Sequence, residues 1–325
     1  MLSYTPQFFD SFPLSSNTRI IIVFMVIVLW LAVIANSTMI YIFIRKYKST
    51  TTSHEKFVCL LLICELCWAF HLAIQYTMTF INGYSFNFTQ CQWIGPLLPL
   101  FSSSTIFCHG LLALDRYHSI RYKKPMSKTR LLFIGLVFIP PILSLPVIPL
   151  LIGSGYILTE EFYCYLAFTS TKVEDRIPTL FGFGLMMVIN HIIIDSYYRI
   201  YSIVPKLVKE NKLEYDEQWQ ELNRKLFYTC VTVLGCFQFC FVPTAISLVL
   251  QTTIQYELPL GVRHFFSFLA VFDTLLTPLV LFYMMPIFQD GFKSYIYNFK
   301  FRKLSKITSS NRNGRDSHKS GAKTS

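Results

Sequence analysis

Charge is scarce in this chain. Asp, Glu, Lys and Arg together supply 14% of 325 residues, where soluble domains carry about a quarter. With 53% hydrophobic residues and a mean hydropathy of +0.45, that shortage excludes a soluble globular protein and leaves an integral membrane protein. The motifs of familiar enzyme sites are missing as well: no phosphate-cradling glycine loop, no His-Glu-x-x-His and no nucleophile elbow occurs. His71, His109 and His191 stand isolated in separate apolar runs, where a histidine is more often satisfied packing than a ligand. No cysteine follows Cys240, which excludes palmitoyl anchoring near the C-terminus. No basic stripe interleaved with aromatics marks a nucleic-acid surface.

What is present is a series of long apolar runs, at 20–44, 57–80, 93–119, 131–152, 178–204, 226–251 and 264–285. Each is about 20 residues or more, the length a helix needs to cross about 30 Å of hydrocarbon. The expected fold is an all-α membrane protein, a seven-transmembrane helix bundle over residues 20–286. Residues 1–19 form an extracellular N-terminus, 287–300 a short amphipathic cytoplasmic helix, and 301–325 a disordered basic tail. The fifth run is interrupted by Asn190, His191 and Asp195. The first follows a segment with Asp10 but no basic n-region, so it reads as a retained anchor.

Basic residues sort the two sides. Arg45, Lys46, Lys48 and Lys56 follow the first run, Arg121, Lys123, Lys124, Lys128 and Arg130 follow the third, and the tail is strongly basic. By the positive-inside rule the N-terminus lies outside and the C-terminus in the cytoplasm, as expected for a multi-pass plasma-membrane protein. The net charge of +11 follows from that bias and from attraction to anionic inner-leaflet lipid. In the amphipathic segment Phe288, Phe292, Ile296 and Phe299 share one side, with Lys293 and Lys300 nearby, as suits a helix lying on that lipid. The third inner loop, Lys206 to Arg224, alternates opposite charges and reads as a helical extension.

Of nine cysteines, seven fall inside apolar runs as small packing residues. Cys91 and Cys164 remain, both at the outer face where oxidation is permitted, and are expected to bond. The sequon Asn87-Phe88-Thr89 lies on the same side as a glycosylation candidate, whereas Asn36-Ser37-Thr38 is buried in the first run and inert. Twenty-five residues separate Cys91 from Arg116. A single helix over them spans roughly 37 Å, putting a bonded thiol outside and the Asp115-Arg116-Tyr117 triplet inside.

These residues, in this order, resemble the rhodopsin-like, family A G-protein-coupled receptors from about residue 20 to 300. Asn36 matches the family's helix-one asparagine, and Leu61 with Glu65 matches the leucine and acid of helix two, glutamate replacing aspartate. Cys91 with Cys164 matches the family disulfide, and Asp115-Arg116-Tyr117 the cytoplasmic triplet. Cys240-Phe241-Val242-Pro243 is similar to Cys-Trp-x-Pro, with Phe241 for tryptophan. Thr277-Pro278 stands for Asn-Pro, Leu281 for the family tyrosine with Tyr283 two residues late, and Phe288 for the aromatic opening the cytoplasmic helix. This eroded pattern resembles lineage-specific chemoreceptor expansions, those of nematodes among them.

The resemblance implies a heterotrimeric G protein as partner and a switch made of Asp115, Arg116, Tyr117, Pro243, Pro278 and Tyr283. Buried near the cytosol, Arg116 needs compensation, and Asp115 is the expected neutralising partner. Asn223 replaces an acid with which some relatives lock that arginine. Pro243 and Pro278 remove backbone hydrogen bonds and act as hinges through which the sixth helix opens. Asn36, Glu65, Thr105 and Asp273 lie where family members hold a sodium ion. Either a cation bridges the two carboxylates or one of them is protonated. The ligand pocket is expected from Leu98, Pro99, Ser102, Phe241, Thr244, Ser267 and Val271. Leu98 offers an amine no counter-ion, and Val271 stands where opsins have their retinal lysine, so a small apolar ligand is expected. The alternatives are a peptide engaging Glu160, Glu161, Glu174 and Asp175, and a seven-span transporter or channel. The second is disfavoured because the two halves show no repeat.

Overall fold

With no water to satisfy backbone groups in hydrocarbon, the apolar runs close their hydrogen bonds internally and form long helices. The computed structural model describes residues 16–46, 53–82, 88–122, 124–151, 156–158, 164–166, 173–209, 217–254, 258–285 and 288–293. Its elements are α1 (Ser16–Lys46), α2 (Ser53–Asn82), α3 (Phe88–Ile94), α4 (Leu97–Tyr122), α5 (Lys128–Leu151), β1 (Tyr156–Leu158), β2 (Cys164–Leu166), α6 (Val173–Lys209), α7 (Glu217–Thr253) and α8 (Leu260–Met284). Residues 288–293 form a further short helix. Seven stretches are long and apolar enough to cross a membrane, α3 and α4 together supplying one of them.

The third crossing departs from the single helix expected between Cys91 and Arg116. It breaks at Gly95-Pro96, where Pro96 has no N–H to donate and Gly95 closes the first helix by donating to the Cys91 carbonyl at 2.8 Å. A separate α4 starts beyond the turn, and α3 is left to carry Cys91 over the end of the bundle. The strands β1 and β2 pair antiparallel, with Leu158 opposite Cys164. The expected extension of the third inner loop is carried by α6 running to Lys209 and α7 starting at Glu217.

Helix α4 is the central post, packed against α2, α5, α6 and α7, while α1 packs on α2 and α8 and α7 packs on α8. A Cβ on Gly110 of α4 would meet Ile189 Cγ2 of α6 at 3.0 Å, so the missing side chain sets how closely these helices approach. The outward faces are apolar, with Leu132, Phe133 and Leu136 of α5 and Phe239 of α7 exposed, as lipid contact requires. Interruptions of the fifth run are satisfied locally: Gln238 Nε2 donates to Asn190 Oδ1 at 2.7 Å, and Arg199 pairs with Asp195 at 2.7 Å. His191 is exposed.

Apolar clusters fill the interior, one of them joining Ile106 and Ala113 of α4 to Ile189 and Ile193 of α6 and Phe237 of α7. Another, at the disulfide end, gathers Met25, Leu29, Trp68, Tyr76, Leu98 and Val271. A further one, at the triplet end, gathers Phe43, Leu61, Leu112, Val233, Leu281 and Phe288. Phe288 and Phe292 of the short terminal helix face the bundle, Phe292 meeting Phe282 edge-on at 5.4 Å. Residues 1–15, Asn87, 210–216 and 294–325, and with them Ile296, Phe299 and Lys300, lie outside the described residues, as do the side chains of Asn223, Cys230 and Glu174 and the loop acids Glu160 and Glu161.

Candidate functional site

At one end of the bundle the structure joins Cys91 of α3 to Cys164 of β2, with Cα atoms 5.1 Å apart. The hairpin is held from below by a buried amide. Gln75 Oε1 on α2 accepts the Cys164 backbone N–H at 2.8 Å, while Gln75 Nε2 donates to His71 Nε2 at 2.8 Å. His71 is thus satisfied packing.

Beneath the hairpin lies a cleft of about 70 Å³ between α4, α5, α6 and α7. Pro99, Ser102 and Phe241 line it as expected, but most of the rest of its wall is α6 and the adjoining turns of α7, including Thr179, Phe183, Met186 and Ala245, with Ser103 and Ile106 of α4 and Leu145 of α5. The other four expected lining residues lie elsewhere. Leu98 and Val271 are packed into the apolar cluster against α1 and α2, Ser267 is buried, and Thr244 donates its hydroxyl to the Phe266 carbonyl at 2.8 Å, tying α7 to α8. Helix phase explains the shift: Leu98, next to Pro99, points about 100° away from it, toward α2.

From the cleft a line of rings runs inward. Phe241 stacks on Phe237 with centroids 5.2 Å apart, and Phe237 meets the His109 ring at 4.5 Å. His109 is far from isolated. One ligand-capable atom from each of Glu65, His109 and Asp273 lies within 4.8 Å of the others, and all three residues are buried. Sequence reasoning missed it because a lone histidine in an apolar helix carries no partner signal; its spacing four residues from Thr105, one turn along the same face, was the available hint.

Asn36, Thr105 and Thr277 are also fully buried, Thr105 one turn before His109 on α4 and Thr277 one turn after Asp273 on α8. Asn36 Nδ2 donates to the carbonyls of Ala32 and Thr274, both at 2.9 Å. The second bond has a backbone cause. Pro278 lacks the N–H that would reach the carbonyl four residues earlier, and that carbonyl belongs to Thr274. Helix α1 therefore caps the gap that proline opens in α8. The remaining oxygens have no hydrogen-bond partner among the described residues: both of Glu65, both of Asp273, Asn36 Oδ1, Thr105 Oγ1 and Thr277 Oγ1, together with His109 Nε2. This donor set fits a cation. Bound there it would bridge α2 to α8 and neutralise two carboxylates in a low-dielectric core.

A small cavity lined by His109, His54, Tyr197 and Leu281 continues toward the triplet. There Arg116 Nε donates to His54 Nδ1 at 2.9 Å, both residues being about 5% exposed. The expected Asp115–Arg116 ion pair does not form. Consecutive residues point about 100° apart on a helix, so Asp115 turns instead to the Ser53 hydroxyl and the Met126 backbone N–H. Tyr117 meets Arg199 of α6. Pro243 lies inside α7 and Pro278 is buried in α8. Tyr283, in contrast, is 77% exposed on the outer surface of α8, whereas Leu281 is buried. A two-residue displacement turns a side chain by about 200°, which removes Tyr283 from the switch.

Comparisons with known proteins agree with this architecture. The family model described as 7 transmembrane receptor (rhodopsin family) matches residues 35–281. The chain is 25% identical to the melatonin receptor type 1A of Gallus gallus over 207 residues, which is 62% of this chain and 57% of that receptor's own length. It is 23% identical to the type-1 angiotensin II receptor B of Xenopus laevis over 290 residues, 82% of this chain and 73% of that one. The crystal structure of squid rhodopsin superposes with a TM-score of 0.75 at 18% identity, covering 90% of this chain and 89% of the other, a likeness of fold. With the family model spanning most of the bundle, the chain belongs to the rhodopsin family of seven-transmembrane receptors, the family A G-protein-coupled receptors, and is a receptor rather than an enzyme.

Proposed function

We propose that this receptor takes a small, largely apolar ligand of the chemosensory kind into the cleft beneath the hairpin and signals to a heterotrimeric G protein at the triplet end. The carrying observation is the unbroken physical path from cleft to arginine. Phe241 lines the cleft and stacks on Phe237, Phe237 touches His109, and His109 shares a cavity with His54, which holds Arg116. A ligand that displaces Phe241 shifts packed rings on α7, and the inner half of α7 swings about the backbone gap at Pro243. Arg116 then leaves His54 for acceptors on the docked partner.

The cleft wall is apolar with hydroxyls from Ser102, Ser103 and Thr179, and Met186 is an adaptable side chain that can turn aside to enlarge about 70 Å³. In this reading the triplet end and the C-terminus face the cytoplasm and the hairpin the outside of a plasma membrane whose inner lipid holds the terminal helix, an orientation that the basic loops support. A cation between Glu65 and Asp273 belongs to the same reading, for which the family resemblance alone implies sodium. Similarity to an angiotensin II receptor favours a second reading, a larger ligand engaging the acidic outer loops.

The test is expression with a promiscuous G protein and a screen of volatile and lipid-like compounds. The expected result is a response that Ser102→Trp abolishes by filling the cleft and that Arg116→Ala abolishes at unchanged surface level. A ligand-evoked current with no G protein present overturns the reading in favour of a channel.

A further inference from the structure

The polar core contains one group that a site for sodium does not need. Sodium is a hard cation held by oxygen, and Glu65, Asp273, Asn36 and Thr105 already offer oxygens without protein partners. His109 adds an imidazole nitrogen, also without a partner, on a residue only 4% exposed and aimed at the same carboxylates within 4.8 Å. Imidazole with carboxylate is a donor set for divalent first-row metals, and affinity for such a set rises toward copper and zinc.

Charge balance points the same way. Two carboxylates with one sodium ion leave a net charge of −1 in the centre of a membrane protein. With a divalent ion and a neutral imidazole the site sums to zero, which removes the cost of an uncompensated buried charge. The geometry is within reach. Ligands about 2.1 Å from a tetrahedral zinc lie about 3.4 Å from one another, so separations within 4.8 Å close by at most about 1.4 Å. Glu65 comes from α2, His109 from α4 and Asp273 from α8, so the three donors approach from different helices. Thr105, one turn before His109 on α4, carries a buried hydroxyl without a partner among the described residues, and water is the usual alternative for a fourth position. The small cavity that His109 shares with His54 and Leu281 offers an approach from the triplet end.

We infer that Glu65, His109 and Asp273 form a binding site for a divalent transition-metal cation of the zinc class, in preference to sodium, tying α2, α4 and α8 together. The inference deepens the cation part of the receptor reading, and it is tested by binding alone, so that its failure and a failure to signal are separately visible.

The full-length chain, purified in lipid nanodiscs and stripped with a chelator, is dialysed against zinc chloride in excess sodium chloride, and retained metal is counted. The expected result is one zinc per chain, with a rise in melting temperature that sodium at the same concentration does not produce. His109→Leu fills similar volume and keeps the carboxylates. It should weaken zinc binding by at least about 100-fold, because losing even a second-shell partner costs about 10- to 100-fold. Cobalt replaces zinc in a second measurement, since Cys64, Cys108, Cys236 and Cys240 are also in this part of the bundle. A spectrum without thiolate charge-transfer bands supports the proposed ligands, and one with them overturns the proposal. Equal zinc retention by wild type and His109→Leu, each shown to be folded by its intact disulfide and cooperative melting, also overturns it. So does sodium displacing zinc at equal concentration.

Discussion

Replacing His54 with leucine removes the acceptor of the 2.9 Å bond from Arg116 Nε and leaves a nearly buried guanidinium whose Nη2 already lacks a protein partner. A hydrogen bond to a charged group contributes about 1.5–3 kcal/mol. If that bond exists only while the triplet end is closed, its loss shifts the closed-to-open ratio by a factor of about 10 to 150. A resting receptor open about 1% of the time becomes open about 10–60% of the time. The assay is ligand-free guanine-nucleotide exchange on a promiscuous G protein, normalised to receptor at the cell surface. His54→Leu should raise basal exchange, and His54→Gln, whose amide oxygen can again accept from Arg116, should return it toward wild type. Basal exchange that stays flat or falls in His54→Leu at matched surface level refutes the idea that this histidine holds the arginine.

Three further outcomes follow from the geometry. Cys164→Ser opens a loop of 73 residues and releases the strand that Gln75 holds, which costs about 4 kcal/mol in the loop-closure model and should lower the melting temperature and surface yield together. Asn36→Leu strips the Thr274 carbonyl of its donor beside Pro278 and should destabilise the bundle by about 1 kcal/mol, read as a melting shift in nanodiscs. Tyr283→Leu should change neither stability by more than about 0.5 kcal/mol nor signalling, because the side chain faces lipid.

Hydropathy alone located the seven crossings, since their length and apolarity answer to the membrane and not to tertiary detail. The grouping of Asn36 with Glu65, Thr105 and Asp273 was legible as family spacing, but the bond from Asn36 to the carbonyl that Pro278 strands needed the two helices side by side. Other features depended on helix phase, which a linear reading blurs. Asp115 and Arg116 are neighbours in sequence and diverge in space; Tyr283 is two residues from the buried Leu281 and faces outward; Leu98 and Pro99 line different compartments. The break at Gly95-Pro96 was visible as residues and went unread because the apolar run continued through it. His54 and His109 were illegible for a different reason: their partners, Arg116, Glu65 and Asp273, lie on other helices, and no local pattern links them.

The most direct measurement is a spin-label distance at the triplet end, between Arg121 of α4 and Tyr228 of α7, both exposed. The account predicts a longer distance when a cleft ligand binds, and a partial shift to that longer distance without ligand in His54→Leu. A distance distribution unchanged by both contradicts the claim that the cleft opens the bundle through Arg116.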